Sequence, residues 1–243
     1  MKKVIAIALV AAMAAPVALS AQDKFTVSGK ADFVSDYVWR GLDQKSGFSV
    51  QPTLAMSYKG FTLSAWGSQS LTNFQDNATP QEFDVAFAYN YKGFTATLTD
   101  YWWNGKSAAY GWYEDGHHLE LAAAYRISDK VPLTLSWATM VAFNDPKPDN
   151  ADDNAYSTYI NAAYDINCPA DITLTPSVGF TPWKGAYYAD GAAITDISLK
   201  ASKTLEVTDK FSIPMFVQAV VAPHHTTAGA DHVFFVAGFS LGF

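Results

Sequence analysis

Hydrophobic and polar positions alternate along most of the chain, and the last twelve residues, 232–243, show the pattern most clearly. A repeat of two places alternate side chains on opposite faces of a β-strand. Small residues such as Gly238 and Gly242 oppose a row of apolar ones, which is typical of a surface in contact with lipid. The segment therefore predicts the closing strand of an outer-membrane β-barrel, with an outward face of Val233, Phe235, Ala237, Phe239, Leu241 and Phe243.

The same alternation predicts eleven more strands earlier in the chain. In the first, residues 25–40, the outward face carries Phe25, Val27, Ala31, Phe33, Tyr37 and Trp39, and the inward face carries Lys30, Asp32, Asp36 and Arg40. The others are 48–58, a strand that begins at 61, 82–91, 94–103, 117–127, 133–143, 155–166, 171–180, 193–202 and 211–221. Strands of about ten residues, tilted near 40°, cross about 25 Å, which is the height of an outer-membrane apolar band.

Short and long connections alternate between these strands, as periplasmic turns and extracellular loops do. The segment Tyr-Lys-Gly-Phe-Thr at residues 58–62 returns at 91–95, and its Lys-Gly pair predicts a two-residue hairpin turn with glycine at positive φ. Longer polar loops are expected at 42–47, 70–81, 104–116, 144–154, 181–192 and 222–231. Because the number of strands is even, both termini are expected in the periplasm.

Aromatic side chains gather at the predicted strand ends, where rings with a polar edge favour the membrane interface. The expected girdle contains Trp39, Tyr58, Tyr91, Tyr125, Tyr164 and Phe243. One residue disagrees with the pattern, because Asp100 falls on the nominal lipid face of its strand. The fold class predicted for residues 22–243 is all-β, an antiparallel transmembrane β-barrel of about twelve strands.

The first 21 residues have the pattern of a secretory signal peptide. Lys2 and Lys3 precede an uncharged apolar run, residues 4–19. The sequence is compatible with cleavage after Ser20 and with cleavage after Ala21. No later uncharged apolar stretch in the sequence approaches the length of about 18 residues that a spanning helix needs. We therefore expect secretion to the periplasm and insertion, as strands, into the outer membrane of a Gram-negative bacterium.

Charge and composition narrow the expected partners. The net charge of −7 would become −9 without the two lysines of the leader, so a nucleic-acid partner is not expected. Expected partners are outer-membrane lipids and lipopolysaccharide, small solutes, and the barrel-assembly machinery, which would read the C-terminal strand. No cofactor and no metal ion is expected, and the single cysteine, Cys168, cannot form an intrachain disulfide.

One short motif resembles a known family. Residues 35–41, Ser-Asp-Tyr-Val-Trp-Arg-Gly, lie on the predicted first strand and resemble the S-x-Y-x-aromatic-R-G signature of the TorF-type porin family. The resemblance implies an outer-membrane barrel that conducts small solutes, and it carries over no settled substrate. Two roles stay open for Arg40: a pore-lining group, or a structural ion pair with Asp36 or with an acid on a neighbouring strand.

Inward charges form two groups along the predicted lumen. The group nearer the outer mouth is Asp36, Arg40, Asp84, Glu120 and Asp196, and the group nearer the periplasm is Lys30, Asp32, Arg126, Asp165 and Lys200. Four acids against one base at the outer mouth predict a weakly cation-preferring pore, because charge in a low-dielectric passage focuses the field. The alternative is that these charges pair across the lumen and, with inward rings such as Trp66 and Tyr101, hold the barrel shut.

The sequence contains less support for an enzyme than for a channel. Residues 238–242 match G-x-S-x-G, but a nucleophile elbow needs a following helix, and this strand has none after it. Histidines 117, 118, 224, 225 and 232 fall at the predicted outer rim. Near Asp115, Glu120 or Asp231, such an imidazole could bind a metal or act as the base of a protease or lipid hydrolase, although no recognised metal-ligand spacing is present. The acidic loop 144–154 could bridge divalent cations to lipopolysaccharide, although it lacks the EF-hand pattern.

The sequence thus predicts a porin-like outer-membrane channel for passive diffusion of small hydrophilic solutes, without enzymatic activity. Two alternatives stay open at this point. One is an outer-membrane rim hydrolase or protease, and the other is a closed structural or adhesive barrel without transport.

Overall fold

The protein is a closed, antiparallel, twelve-stranded β-barrel, as the alternation predicts. The computed structural model describes residues 24–72, 81–103, 116–209, 211–224 and 232–243. The predicted leader, residues 1–21, and the central parts of three predicted loops lie outside the described residues. No helix among the residues that the structure describes is long and apolar enough to cross a membrane.

Thirteen strands build the wall, two of which are halves of one. They are β1 Thr26–Val34, β4 Ser49–Tyr58, β5 Phe61–Ser70, β6 Gln81–Tyr91, β7 Phe94–Trp103, β8 His117–Arg126, β9 Leu133–Phe143, β12 Thr158–Tyr164, β13 Ile166–Cys168, β14 Ile172–Thr181, β15 Ala193–Thr208, β16 Phe211–Val221 and β17 Val233–Gly242. Because β12 and β13 both pair with β14, they form one strand interrupted at Asp165. Two small hairpins, β2 Val38–Trp39 with β3 Leu42–Asp43 and β10 Pro146–Lys147 with β11 Asn150–Asn154, and a 3₁₀ turn, Pro169–Asp171, complete the elements.

The pairing of the first and last wall strands closes the barrel. Each wall strand pairs with the next along the chain, and β17 returns to pair with β1 in the register Phe33 to Phe239. The rings of these two residues stack on the outer surface, with centroids 5.0 Å apart. The backbone of Phe243 exchanges two hydrogen bonds with Gly29, at 2.9 and 3.3 Å. The predicted closing seam is therefore confirmed.

Alternation along the strands separates an apolar outer face from a polar inner one. On β4, for example, Leu54 and Met56 are exposed, whereas Gln51 and Ser57 are buried inside the barrel. The outer face therefore presents rows of large apolar side chains, whose exposure to water would be unfavourable.

The repeated Lys-Gly turns form as predicted. Lys59 and Gly60 have φ values of 50° and 87°, and Lys92 and Gly93 have 47° and 84°. Two successive positive φ values define the type I′ turn, whose twist matches that of the flanking strands. A side chain at Gly60 would also place its Cβ 2.7 Å from the carbonyl oxygen of Asn90, so glycine is needed there for space as well.

The first strand is shorter than predicted, and this changes the interior of the barrel. It ends at Val34 rather than at Arg40, and residues 35–47 turn into the lumen as a hairpin, here called the inner hairpin. Trp39 is only 2% exposed inside the barrel, so its predicted place in the girdle is wrong, as is the outward direction predicted for Tyr37. The reason is the dipeptide Arg40-Gly41, which reverses the chain with φ values of 51° and 81°.

Three other local predictions need adjustment. β15 was expected to end at residue 202 and continues to Thr208, because β-branched residues extend its pairing with β16. The predicted loop 144–154 contains the β10–β11 hairpin. Asp100 is the acid on the outer face. Its Oδ1 lies 2.8 Å from Nδ1 of the buried His117, so the carboxylate has a hydrogen-bonding partner.

We expect deletion of Phe243 to impair assembly of the barrel. The deletion removes both backbone hydrogen bonds to Gly29 and the ring that covers this glycine, a loss of about 1–3 kcal/mol. The fraction that runs as folded protein on unheated SDS gels after refolding into vesicles should fall, as should the urea midpoint. Phe211→Ala, which removes an exposed ring away from the seam, is the control; an unchanged folded fraction for the deletion would contradict the role of the seam.

Candidate functional site: the barrel lumen

The inner hairpin fills the lumen toward the end of the barrel that carries the long loops, since its partner Glu120 is the fourth residue of β8 from that end. Its side chains pack on rings of the wall in one buried cluster formed by Tyr37, Trp39, Tyr101, Met140, Tyr159 and Tyr188, with Leu42, Trp66, Trp103 and Tyr187 against it. Asp36, which was predicted to line the pore, organises this hairpin. Its Oδ1 accepts hydrogen bonds from the backbone N–H groups of Tyr37 and Gly47 and from the hydroxyl of Ser46.

Arg40 at the tip of the inner hairpin forms a bidentate ion pair with Glu120 on β8. Nη1 lies 2.6 Å from Oε2 and Nη2 lies 2.8 Å from Oε1, and the two side chains are 3% and 1% exposed. The guanidinium also lies between two rings, 4.6 Å from the centroid of Trp39 and 4.8 Å from that of Tyr159. Charge-assisted, forked hydrogen bonds and stacking on rings are the interactions that arginine makes best. Of the two ion-pair partners considered for Arg40, the structure selects a wall acid and not Asp36.

A second loop, residues 182–192, adds to the obstruction, with the ring of Tyr188 centred 5.7 Å from that of Trp39. The hydroxyl of Tyr188 accepts a hydrogen bond of 2.8 Å from Nη1 of Arg40, and burial raises the pKa of this hydroxyl, so it stays a neutral phenol. The hydroxyl of Tyr187 donates to the carbonyl of Asn144 at 2.9 Å and lies 2.8 Å from Nδ1 of His118. Two loop segments therefore meet around one arginine.

Three other acids line the same level of the lumen. Asp84 and Glu82 project inward from β6, and Glu82 accepts a hydrogen bond of 2.8 Å from the indole of Trp103. Asp196 on β15 accepts hydrogen bonds from the hydroxyls of Tyr159, at 3.0 Å, and Thr195, at 2.8 Å. Glu82 was not among the predicted lumen acids. Its separation of two residues from Asp84 places both on the same face, which would have identified it.

Near the end of the barrel that holds both termini, here called the terminal end, the charges are paired and more exposed. Lys30 pairs with Asp32 at 2.6 Å, and Arg126 pairs with Asp165 at 2.8 Å. The side chains of Lys30 and Arg126 are 31% and 37% exposed, against 3% for Arg40. The acidic partners, Asp32 and Asp165, are only 3% and 8% exposed, so near the terminal end the bases reach water while the acids stay buried. At the inner hairpin both members of the Arg40–Glu120 pair are buried.

A small cavity with both polar and apolar lining residues lies between the inner hairpin and the wall of β12 and β14–β16. It has a volume of about 50 Å³ and extends from Arg40 and Gly41, past Asp196 and Ser198, to Lys200. The ammonium group of Lys200 lies 4.5 Å from the ring centroid of Phe216. Since one water needs about 10–15 Å³ of such space, three to five waters fit.

The outward aromatic residues predicted for the terminal end are exposed on the outer face. Their role as a membrane girdle stays a prediction. They are Tyr58, Tyr91, Tyr125, Tyr164 and Phe243.

The groups considered for catalysis do not converge. His117 and His118 lie on opposite faces of β8, and Nδ1 of His232 lies 2.8 Å from the carbonyl of Ala222. His225, Asp115 and Asp231 lie outside the described residues. Within the described part of the chain, no group of three or more His, Cys, Asp or Glu side chains could hold a metal ion. Ser240, in the G-x-S-x-G match, donates to Asp32 from within β17.

Solved porins share this fold. A NanC porin matches with a TM-score of 0.52 and 8% identity, over 89% of this chain and 98% of the porin chain. A KdgM porin matches with a TM-score of 0.48 and 11% identity, over 89% and 99% of the two chains. At these identities the likeness concerns the fold alone. A comparison with curated protein sequences finds no match.

The narrower resemblance to TorF-type porins, which rests on residues 35–41, stays a prediction. The comparison with family models gives a match over most of the sequence, residues 18–236. The chain belongs to the family that this model represents, described as "Bacterial protein of unknown function (Gcw_chp)".

Proposed function

We propose that the protein is an outer-membrane channel for passive diffusion of small hydrophilic solutes, and that the inner hairpin gates it. In this proposal the terminal end faces the periplasm, the loop end faces outward, and residues 1–21 are a cleaved leader. The apolar outer face, the polar inner face and the porin fold support it. The proposal assigns no enzymatic activity to the protein.

The proposal is supported mainly by the finding that loop residues block the centre of the lumen. The centre of the lumen is occupied by Arg40, Trp39 and Tyr188, all of which belong to loop segments and not to wall strands. Some wall positions facing inward are small, as at Ser64, Ala86 and Ser198, whereas at the level of the hairpin the wall adds the large side chains of Tyr101, Met140 and Tyr159. Barrels of eight strands are filled by their own wall side chains, whereas sixteen strands leave a channel. Departure of the two loop segments would therefore widen the passage of this twelve-stranded barrel without rearranging its wall, although the wall rings would still narrow it.

The ion pair of Arg40 with Glu120 is the main polar contact that holds the inner hairpin in the lumen. Removing two charges from water is costly, and a buried pair offsets this cost only while both partners are present and well oriented. Loss of one partner leaves an uncompensated buried charge, which costs about 3–5 kcal/mol. The closed state therefore depends on both partners, and the hairpin is expected to leave the lumen when either is neutralised.

The charges of the lumen also suggest a selectivity. Glu82, Asp84, Glu120 and Asp196 surround a single arginine at the level of the hairpin, while the terminal end carries near-balanced pairs. An excess of acids at the narrowest level attracts cations, because field lines concentrate in a low-dielectric passage. A weak preference for cations is therefore part of the proposal.

We expect Glu120→Gln to increase the open fraction in planar bilayers. The amide keeps the size of the carboxylate but leaves the guanidinium of Arg40 unpaired, which would shift the hairpin equilibrium by roughly 100-fold or more. Single-channel recording measures the change. Glu206→Gln, at an exposed position of β15, is the matched control, and an open fraction equal to that of the unmodified protein would contradict the gating role of the pair.

We expect a disulfide between positions 41 and 222 to lock the channel closed. A Cβ added at Gly41 lies 3.4 Å from the Cβ of Ala222, close to the range of about 3.5–4.5 Å found in disulfides. The same Cβ lies 2.9 Å from the carbonyl oxygen of Thr195 at a φ of 81°, so Gly41→Cys strains the hairpin and the reduced double variant is expected to be more open than the unmodified protein. The variant Gly41→Cys/Ala222→Cys, with Cys168→Ser to avoid mispairing, should lose conductance on oxidation and regain it on reduction. Gly41→Cys alone is the control. Undiminished current through protein whose cross-link is verified by mass spectrometry would exclude movement of the hairpin as the gate.

We expect a salt gradient of potassium chloride to give a reversal potential on the cation-selective side. Asp84→Asn should lower the preference by a few-fold, because it removes an acid from the narrowest level. Asp209→Asn, at an exposed turn position of the terminal end, should leave the potential unchanged. Anion selectivity of the unmodified protein would overturn the cation preference while leaving the channel itself established.

A further inference from the structure

We infer that Glu120, Tyr101 and Tyr159 of the barrel wall form a binding site for solutes that carry a guanidinium group. In the closed state Arg40 occupies this site as a ligand that the chain itself supplies. A guanidinium solute takes the place of Arg40 when the inner hairpin leaves the lumen. The inference rests on the proposed function, since the site becomes accessible only in the open channel, and it names the class of cation that the channel selects.

The contacts of Arg40 are those of a planar guanidinium group, which an ammonium group does not reproduce. Two of its nitrogens reach the two oxygens of Glu120 separately, at 2.6 and 2.8 Å. Its central carbon lies 4.6 Å from the ring centroid of Trp39 and 4.8 Å from that of Tyr159. An ammonium group is a compact, strongly hydrated charge without a rigid fork, so it matches a forked carboxylate flanked by rings less well. The site therefore distinguishes cations by shape.

The wall residues of the site are oriented by the wall itself. The hydroxyl of Tyr101 on β7 donates to Oε1 of Glu120 at 3.0 Å. The hydroxyl of Tyr159 on β12 donates to Asp196 at 3.0 Å and accepts from Nδ2 of Asn161 at 3.2 Å. None of these contacts involves the inner hairpin or the loop 182–192. The carboxylate and the ring are therefore expected to keep their positions when the hairpin leaves.

Departure of Arg40 leaves negative charge at the site. The side chain of Glu120 is only 1% exposed, and the buried acids Asp84 and Asp196 line the same level of the lumen. A carboxylate that loses its partner in a narrow, low-dielectric passage attracts another cation, because an uncompensated charge there is costly. The excess of acids thus requires a cation, and the fork and the ring of the wall determine which cation fits.

A free solute has to compete with Arg40 for Glu120. A group tethered next to its site has an effective concentration on the order of millimolar, so the solute acts at that level or above. A solute that binds only the open state raises the ratio of open to closed protein by the factor 1 + [L]/Kd, which is about tenfold at ten times Kd. The selected solute therefore opens the channel that admits it.

Three probes of nearly equal size test the inference on the unmodified full chain in planar bilayers: methylguanidinium, methylurea and methylammonium. Methylurea has the shape of methylguanidinium without its charge, and methylammonium has the charge without the fork. At concentrations on the order of 10 mM, methylguanidinium should raise the open fraction about tenfold, while the other two leave it unchanged. An equal response to methylammonium, or no response to methylguanidinium, would overturn the site.

The variant Arg40→Ala vacates the site and removes the competitor, so binding can be measured without current. Isothermal titration of the refolded variant should show methylguanidinium binding at least about tenfold tighter than methylammonium. Adding Glu120→Gln should weaken this binding by about tenfold or more, and adding Tyr159→Leu by a few-fold. Adding Tyr159→Phe, which keeps the ring, should preserve it. Arg126→Ala, which removes the more exposed arginine at the terminal end, is the matched control and should not gain this binding.

The outcomes separate the site from the channel. Binding to folded Arg40→Ala that survives Glu120→Gln, or that is as strong for methylammonium, would overturn the guanidinium site while leaving the channel established. Binding with the expected preference, but without current through any of these folded proteins, would support the site and overturn the channel. The bilayer recording requires no substitution, so it decides the inference even where Arg40→Ala fails to refold on unheated gels.

Discussion

A chain that crosses hydrocarbon has to pair every backbone N–H and C=O group within itself, and a β-sheet can do so only by closing. Here closure depends on the contact between β1 and β17. Their register places the outward rows of the two strands side by side, so that Phe33 stacks on Phe239 and Phe243 covers Gly29. Every other strand pair joins neighbours in sequence, whereas this one joins the two ends of the chain. The inner and outer faces, and therefore the lumen, exist only once this seam forms.

Closure with twelve strands leaves an interior that wall and loop side chains fill together at the level of the inner hairpin. Two loop segments enter it, and their polar groups have to be satisfied away from bulk water. The guanidinium of Arg40 bonds Glu120 and Tyr188 and stacks on two aromatic rings. Asp36 accepts hydrogen bonds from backbone N–H groups of the hairpin that carries it. Such a network is stable when complete and costly when one member is lost. This all-or-none character is the property that a gate requires.

The charged groups differ between the two ends of the lumen, so the proposed channel is asymmetric. Paired and partly hydrated groups, such as Lys30 with Asp32, lie near the terminal end, while the buried acids and the ion pair lie at the hairpin. The small cavity with Asp196 and Lys200 lies against the hairpin, where the lumen narrows. Hydrated charges steer solutes and desolvated ones discriminate between them, because electrostatic interactions strengthen as water is excluded. Arg40 and Gly41 of the proposed gate line this cavity.

The sequence by itself determined the barrel, because a period of two and repeated turn signals are local properties that each strand carries alone. It also determined which wall residues face inward, and Lys30, Asp84, Glu120, Asp165 and Lys200 all lie inside. It did not reveal the inner hairpin, since alternation continues through residues 35–40 and suits a wall strand equally well. Arg40-Gly41 repeats the pattern of Lys59-Gly60 and adopts the same positive φ values, so the turn was readable. The direction of this turn into the lumen could not be predicted from the sequence. Glu120 and Tyr188 hold Arg40 in the lumen, and they are 80 and 148 residues away along the chain, so they meet it only in the closed barrel.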